Sequence, residues 1–303
     1  MRFLTICAAL AAVGAVAATA EANTAAKIEY RLVDEPIPNK PDEWQSEVWV
    51  ELWRDGGGAL GVHDWTVDGV LQMERQWFWG RPEDEPEHPL DTLDLKAHGT
   101  FDMDIDGNPD ALSARYADED ETMEIELRVS LLGGLPGSGW SGLTEQVRIA
   151  NRGEEPMHLY LFQYADFDIM GTPYDDHAHI LSPGGLGEED AEVNTVYHDD
   201  GPTETSSDTV VAPAATAWQA GDALALLALL DDEWPTVLDG TASVVGDPET
   251  DPAWILGWEV WLAPGDSFTI SKDKLIFPEP ATLALVGLGA AGLALRRRRG
   301  GGA

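Results

Sequence analysis

The chain has 303 residues, with 55 Asp and Glu against 18 Lys and Arg, a formal charge of −37. Nucleic acid is excluded as a partner, because phosphate backbones are bound by cationic side chains. The only cysteine is Cys7, so disulfides, thiol catalysis and cysteine-bound zinc have no place in the body of the protein.

Met1 and Arg2 make a short basic start, Phe3–Ala18 is apolar, and Ala18-Thr19-Ala20 offers a small-x-small cleavage site. Ala20-Glu21-Ala22 is a second choice. This is the pattern of a secretory signal peptide over residues 1–22, carried by the Sec machinery and removed by signal peptidase at Ala18 or Ala20. Cys7 lies inside it, without a lipobox.

Residues 23–276 read as one large β domain. Glu47–Trp53 places Val48, Val50 and Leu52 on one face and Trp49, Glu51 and Trp53 on the other. Arg81–Leu90, acidic and proline-bearing, reads as an exposed loop. In Thr122–Leu131 the residues Met123, Ile125, Leu127, Val129 and Leu131 alternate with polar ones, as in a half-buried strand. Glu145–Ala150 and Trp254–Leu262 read as further strands. His158–Tyr164 is apolar on both faces and suits the middle of a sheet. Gly184–Ser207 reads as a long loop. Ala223–Leu230 is the one internal helix, capped by Asp222, with a buried strand as its rival. Turns are expected at Asp55–Gly58, Asp68-Gly69, Asp106-Gly107 and Pro264-Gly265. Many strands and few helices predict a mainly β fold, an antiparallel β-sandwich.

From Gly153 to Ser271 the chain has 24 acidic residues and no Lys or Arg in 119 positions. Such a surface stays soluble, repels other polyanions and gains from salt or divalent cations. Adaptation to saline water is one reading, and calcium-bridged contact with an acidic matrix is the other.

Three groups of residues could carry chemistry. Asp102, Asp104, Asp106 and Asp110, with Gly107 after the third acid, fit the first nine places of a D-x-D-x-D-G-x-x-D calcium loop. Ser113 stands where such a loop would close with a bidentate Glu. A strand with acids outward, followed by a turn, is the alternative. His177 and His179 share a strand face near Asp166, Asp168, Asp175 and Asp176, and two imidazoles at that spacing can hold a metal. Trp77 with Trp79, and Trp254 with Trp258, could form sugar-stacking faces or fill a core. No G-x-S-x-G or H-E-x-x-H occurs, and no residue is assigned a catalytic role.

At the other end, Pro278-Glu279-Pro280 precedes an uncharged run, Ala281–Leu295, and four arginines, Arg296–Arg299. As a helix the run would reach about 22 Å, short of the ~30 Å hydrocarbon core but rescued by local thinning and snorkelling arginines. Arginines after an exported body keep the tail cytoplasmic. Gly287 to Gly292 matches G-x-G-x-x-G, but only 11 residues follow and none is acidic, so no dinucleotide site is read there.

Pro-Glu-Pro, an apolar helix and an arginine cluster, in that order over residues 277–303, resemble the PEP-CTERM sorting signal of Gram-negative bacteria. The resemblance implies a transient inner-membrane intermediate, recognition near Pro278, Glu279 and Pro280 by an exosortase, and delivery to the outer surface or extracellular matrix. Such systems accompany exopolysaccharide, which becomes an expected partner. Trp65–Pro82, Asn151–Asp168 and Gly257–Leu275 also resemble uncharacterised exported proteins with the same tail. The expected role is structural or binding. The rivals are a carbohydrate-active or metal-dependent extracellular enzyme, and a protein that stays anchored in the membrane.

Overall fold

The computed structural model describes residues 27–40, 42–83, 85–181, 192–200 and 205–278. Its elements run β1 (Lys27–Pro36), β2 (Trp44–Arg54), β3 (Gly61–Val67), β4 (Val70–Pro82), β5 (His88–Pro89), β6 (Asp94–Phe101), β7 (Ala111–Ala117), β8 (Met123–Gly133) and β9 (Ser141–Asn151). They continue with β10 (Met157–Asp166), β11 (His177–Leu181), β12 (Val193–Asp199), β13 (Thr205–Ala215), β14 (Ala217–Asp222), α1 (Ala223–Leu230), β15 (Ser243–Val245), β16 (Pro252–Leu262) and β17 (Ser267–Pro278). One sheet has the order β1-β2-β3-β4-β10-β16-β14, with β5 beside β4, and the other β15-β11-β12-β13-β17-β9-β8-β7-β6. The protein is an antiparallel β-sandwich.

The period-2 pattern of β8 is realised: Ile125, Leu127, Val129 and Leu131 are buried, and the residues between them are half-buried. Strand β10, apolar on both sides, lies between β4 and β16. The sheets are tied through polar groups as well as apolar packing. Tyr116 on β7 donates its hydroxyl to the Leu52 carbonyl on β2 (2.8 Å), and Ser46 on β2 meets Ser141 on β9 (2.6 Å). Glu145 on β9 receives Lys272 at 2.9 Å, together with Lys274, both from β17. Gln76, from β4 of the facing sheet, donates to the same carboxylate. All three charged side chains are 0 % exposed, and Lys272 Nζ lies 4.0 Å from the Phe78 ring centroid.

Strands β3 and β4 are joined by Asp68-Gly69, both at positive φ (51° and 80°), with Val67 paired to Val70. This is the two-residue turn that matches strand twist. At the other end of β3, Gly61 and Val62 both face Gln76, a bulge with glycine at φ 73°. A Cβ at Gly61 would stand 2.3 Å from Trp77 Cε3 and 2.4 Å from the Gln76 carbonyl oxygen. Gly61→Ala is expected to lower stability by about 2–4 kcal/mol, from left-handed strain plus a backbone clash, read as a shift in the urea midpoint.

The helix reading of Ala223–Leu230 holds. Asp222 Oδ1 accepts from Ala225 N (3.0 Å), and Ala223, Leu226 and Leu230 are buried. Two loop readings are corrected. Arg81, Glu87 and Leu90 are buried, because Arg81 Nε pairs with Glu87 at 2.7 Å and Glu87 also accepts from Thr236 N at 2.8 Å. Composition alone cannot reveal so distant a partner. The stretch read as a loop from Gly184 to Ser207 contains β12 and the start of β13. Glu51, placed on the outer face of its strand, is buried and held by Arg54 at 2.7 Å.

Candidate functional site

Strand β17 runs through Phe277 to Pro278, which registers with Thr205 on β13. Proline suits this terminal place, since it gives no N–H to the ladder. The expected processing residues therefore begin on a paired residue of β17. Glu279, Pro280, the apolar run and arginines after them, and the signal-cleavage residues Ala18 and Ala20 lie outside the described residues. No helix among the described residues is long and apolar enough to cross a membrane.

The Asp102 loop brings three of its four acids together. Carboxylate oxygens of Asp102, Asp104 and Asp106 lie within 4.8 Å of one another, all on exposed residues. Asp102 accepts from the backbone N–H groups of Ile105 (2.6 Å) and Gly107 (2.8 Å). Asp110 is turned elsewhere: it is buried and accepts from Met103 N at 2.9 Å. Burial pushes its carboxyl above the usual range.

His177 and His179 do share a face of β11, with ring centroids 6.3 Å apart. Asp199, opposite His177 on β12, joins them to make a trio whose donor atoms lie within 4.8 Å. All three are half-buried, and His177 Nδ1 stands 3.5 Å from Asp199 Oδ1. His177 also borders a shallow depression lined by Tyr174, Asp175 and Asp247.

Trp77, Trp79, Trp254 and Trp258 are buried, so they fill the sandwich and present no face to a sugar. Their ring N–H groups explain part of this: Trp77 donates to Asp91 (3.2 Å), Trp79 to Asp231 (3.0 Å) and Trp258 to the Pro213 carbonyl (3.0 Å). The exposed tryptophans are others, among them Trp261, stacked on His158 with centroids 3.7 Å apart.

Another group gathers where the end of β10 and the start of β16 lie beside the first half of β4. Carboxylate oxygens of Glu74 on β4, Asp166 on β10 and Asp251, just ahead of β16, lie within 4.8 Å of one another. Asp168 follows two residues after Asp166 and feels both Glu74 and Asp251. Burial and neighbouring carboxylates raise Asp251 to about 6 and Asp168 to about 7. Asp166 is driven well above the carboxylate range by burial and then by Asp251. Tyr164 donates its hydroxyl to Asp166 Oδ2 at 2.9 Å. Arg75, which registers with Asp166, sends its guanidinium to the Ala59 carbonyl (3.4 Å) and over Trp79. Beside the group, Asp176 accepts from Ile169 N (2.8 Å) and faces His198 Nε2 at 3.3 Å. Burial pushes the Asp176 carboxyl up and the His198 imidazole down, so it disfavours the charged form of each. Sequence reasoning placed Asp166 and Asp168 only beside the histidines. Glu74 and Asp251 are far away in the chain, and the 119-residue stretch without a cation was the one signal of unbalanced acid.

Residues 278–299 match the family described as the PEP-CTERM protein-sorting motif. No curated protein matches the chain. Among solved structures, a bacterial glucoamylase complexed with acarbose is similar at 10 % identity and a TM-score of 0.47, over 82 % of this chain and 33 % of the other. The chain thus spans about a third of that enzyme's length. The Slr1438 protein of Synechocystis sp. PCC 6803 is similar at 13 % identity and a TM-score of 0.48, over 83 % of this chain and 96 % of that one. A putative aldose 1-epimerase of Escherichia coli K12 is similar at 11 % identity and a TM-score of 0.42, over 84 % and 99 %. Nothing about activity follows from likenesses this distant. The chain carries a PEP-CTERM protein-sorting motif that begins at Pro278, the last described residue of β17, and that motif implies export and processing by an exosortase.

Proposed function

We propose that the chain is exported, held at the inner membrane by its C-terminal apolar run, and cut by an exosortase beside Pro278-Glu279-Pro280. It then works at the outer surface or in an exopolysaccharide matrix, in a structural or binding role. The observation that carries this reading is the junction itself: β17 is paired with β13 as far as Pro278, the first residue of the sorting motif. A cut beyond that residue removes the tail and leaves every described strand in place.

A binding role is favoured over a hydrolytic one by the burial of the acids. Asp166 and Asp168 are each 5 % exposed and Asp176 is 0 % exposed, so these three carboxyls cannot pair up across a glycosidic bond, as hydrolysis by two carboxylates requires. The test is the intact mass of the protein recovered from cell envelope and medium. The expected mass lacks the first 20 or so residues and everything beyond the Pro-Glu-Pro region. A mass that still includes Arg296–Arg299 would show a permanently anchored protein and end the exosortase reading.

A further inference from the structure

We infer that Glu74, Asp166 and Asp251, with Asp168 at their edge, form a binding site for one divalent cation of the calcium class. This goes beyond the sorting reading and stands independently of it.

The geometry supports a single ion. Calcium bonds to oxygen at about 2.3–2.6 Å, so two oxygens on one ion stand at most about 5 Å apart. The three carboxylates offer oxygens within 4.8 Å of one another. The second observation concerns Asp166. It is 5 % exposed and its Oδ1 has no hydrogen-bond partner among the described residues, whereas its Oδ2 is fixed by the Tyr164 hydroxyl. A buried carboxylate oxygen without a partner is costly, and this one belongs to the residue that converges on Glu74 and Asp251. Asp168 Oδ1, equally buried, and Asp251 Oδ1 also find no hydrogen-bond partner among the described residues. The Tyr164 bond is the kind of outer contact that orients a metal ligand.

The donor set selects the ion. Oxygen-only ligands favour calcium or magnesium over zinc and copper. Magnesium demands near-ideal octahedral geometry and keeps several waters. A site with carboxylates from three chain segments, the Asp166 one buried, suits the larger and more tolerant ion. Access is open on one side, because Glu74 is exposed and Asp251 half-buried. The ion would join β4, the end of β10 and the start of β16. Asp251 also accepts from Ala223 N at 2.7 Å through its carbonyl, so the same ion would steady the first turn of α1.

The test uses the full-length protein purified in detergent, carrying Asp102→Asn and Asp104→Asn so that the exposed loop does not contribute. Calcium chloride, magnesium chloride and EDTA are compared by thermal unfolding, and calcium stoichiometry is read by titration calorimetry. One calcium per chain is expected. The melting temperature should rise by roughly 5–10 °C when calcium is a hundredfold above its dissociation constant, and magnesium should do less. Asp251→Asn should weaken binding by about tenfold or more. Asp166→Asn should do the same, and in EDTA it should melt no lower than its parent, because an amide that cannot ionise replaces a carboxyl whose ionisation burial disfavours. If Asp166→Asn fails to fold, Glu74→Gln at its exposed position reads the same loss. Calcium affinity unchanged in both Asp251→Asn and Glu74→Gln would overturn the site. So would identical melting in EDTA and in about 10 mM calcium, a concentration above the range of extracellular calcium modules.

Discussion

Glu145→Gln should cost the fold about 3–5 kcal/mol, the penalty for breaking a buried ion pair by removing one partner. The Glu145 carboxylate meets Lys272 and Lys274 at 0 % exposure and takes a further bond from Gln76 across the sandwich. Without it, two buried ammonium groups lose their counter-charge. Both lysines are already pushed below their usual range by burial, and the variant would remove the carboxylate that opposes that shift. The carboxyl itself is held at about 2: burial opposes its ionisation, and Lys272 and Lys274 together overcome that. Its folded value is thus below the unfolded value of 4.5. The stabilisation it gives is fully present above that unfolded value and is lost as the pH falls through about 2. Urea unfolding at pH 7, 4 and 3 checks both parts. The wild type should lose this contribution progressively below about pH 4.5, and Glu145→Gln should lack that component. Replacing the triad together, as Glu145→Leu with Lys272→Met and Lys274→Met, should cost far less, because attraction and desolvation are removed at once.

A chain ending at Asp266 should show no cooperative unfolding transition, whereas one ending at Pro278 should melt like the parent. Strand β17 makes ten registered pairs with β9 and eight with β13. Its removal would open two edges in the middle of the larger sheet. It would take away buried Ile270 and Ile276, worth about 1.5–3 kcal/mol each. It would also strand Glu145 without its lysines, at about 3–5 kcal/mol. The sum approaches the whole stability of an ordinary domain, about 5–15 kcal/mol. Calorimetry of the two truncations decides it, and a cooperative melt of the shorter one would show that the sandwich closes without β17.

The strands could be read from the sequence where one face is apolar, as in β8, or where both are, as in β10. The helix could be read because Asp222 precedes a run of Ala and Leu, and the cap formed as expected. What stayed hidden is what depends on partners far away in the chain. In Ser271–Ile276 a reading by polarity would send Lys272 and Lys274 to solvent and Leu275 inward. The reverse holds, with both lysines buried and Leu275 37 % exposed. Only Glu145, more than a hundred residues earlier, makes that register affordable. The same limit applies to the sites. The Asp102 loop and the His177, His179 pair are local patterns and were visible. The carboxylates Glu74, Asp166 and Asp251 meet only after β4, β10 and β16 have paired. Pro278 was visible as the start of the sorting signal, but not as a paired residue of a central strand.

That placement has a mechanical consequence. Tension applied through the tail reaches the sandwich along the axis of β17, whose neighbours hold it on both sides. The hydrogen bonds of both ladders then share the load in shear, instead of parting one by one as they would if an edge strand were peeled away. A pull on the tail would therefore meet the whole paired length of β17, and the sandwich would stay closed up to Pro278.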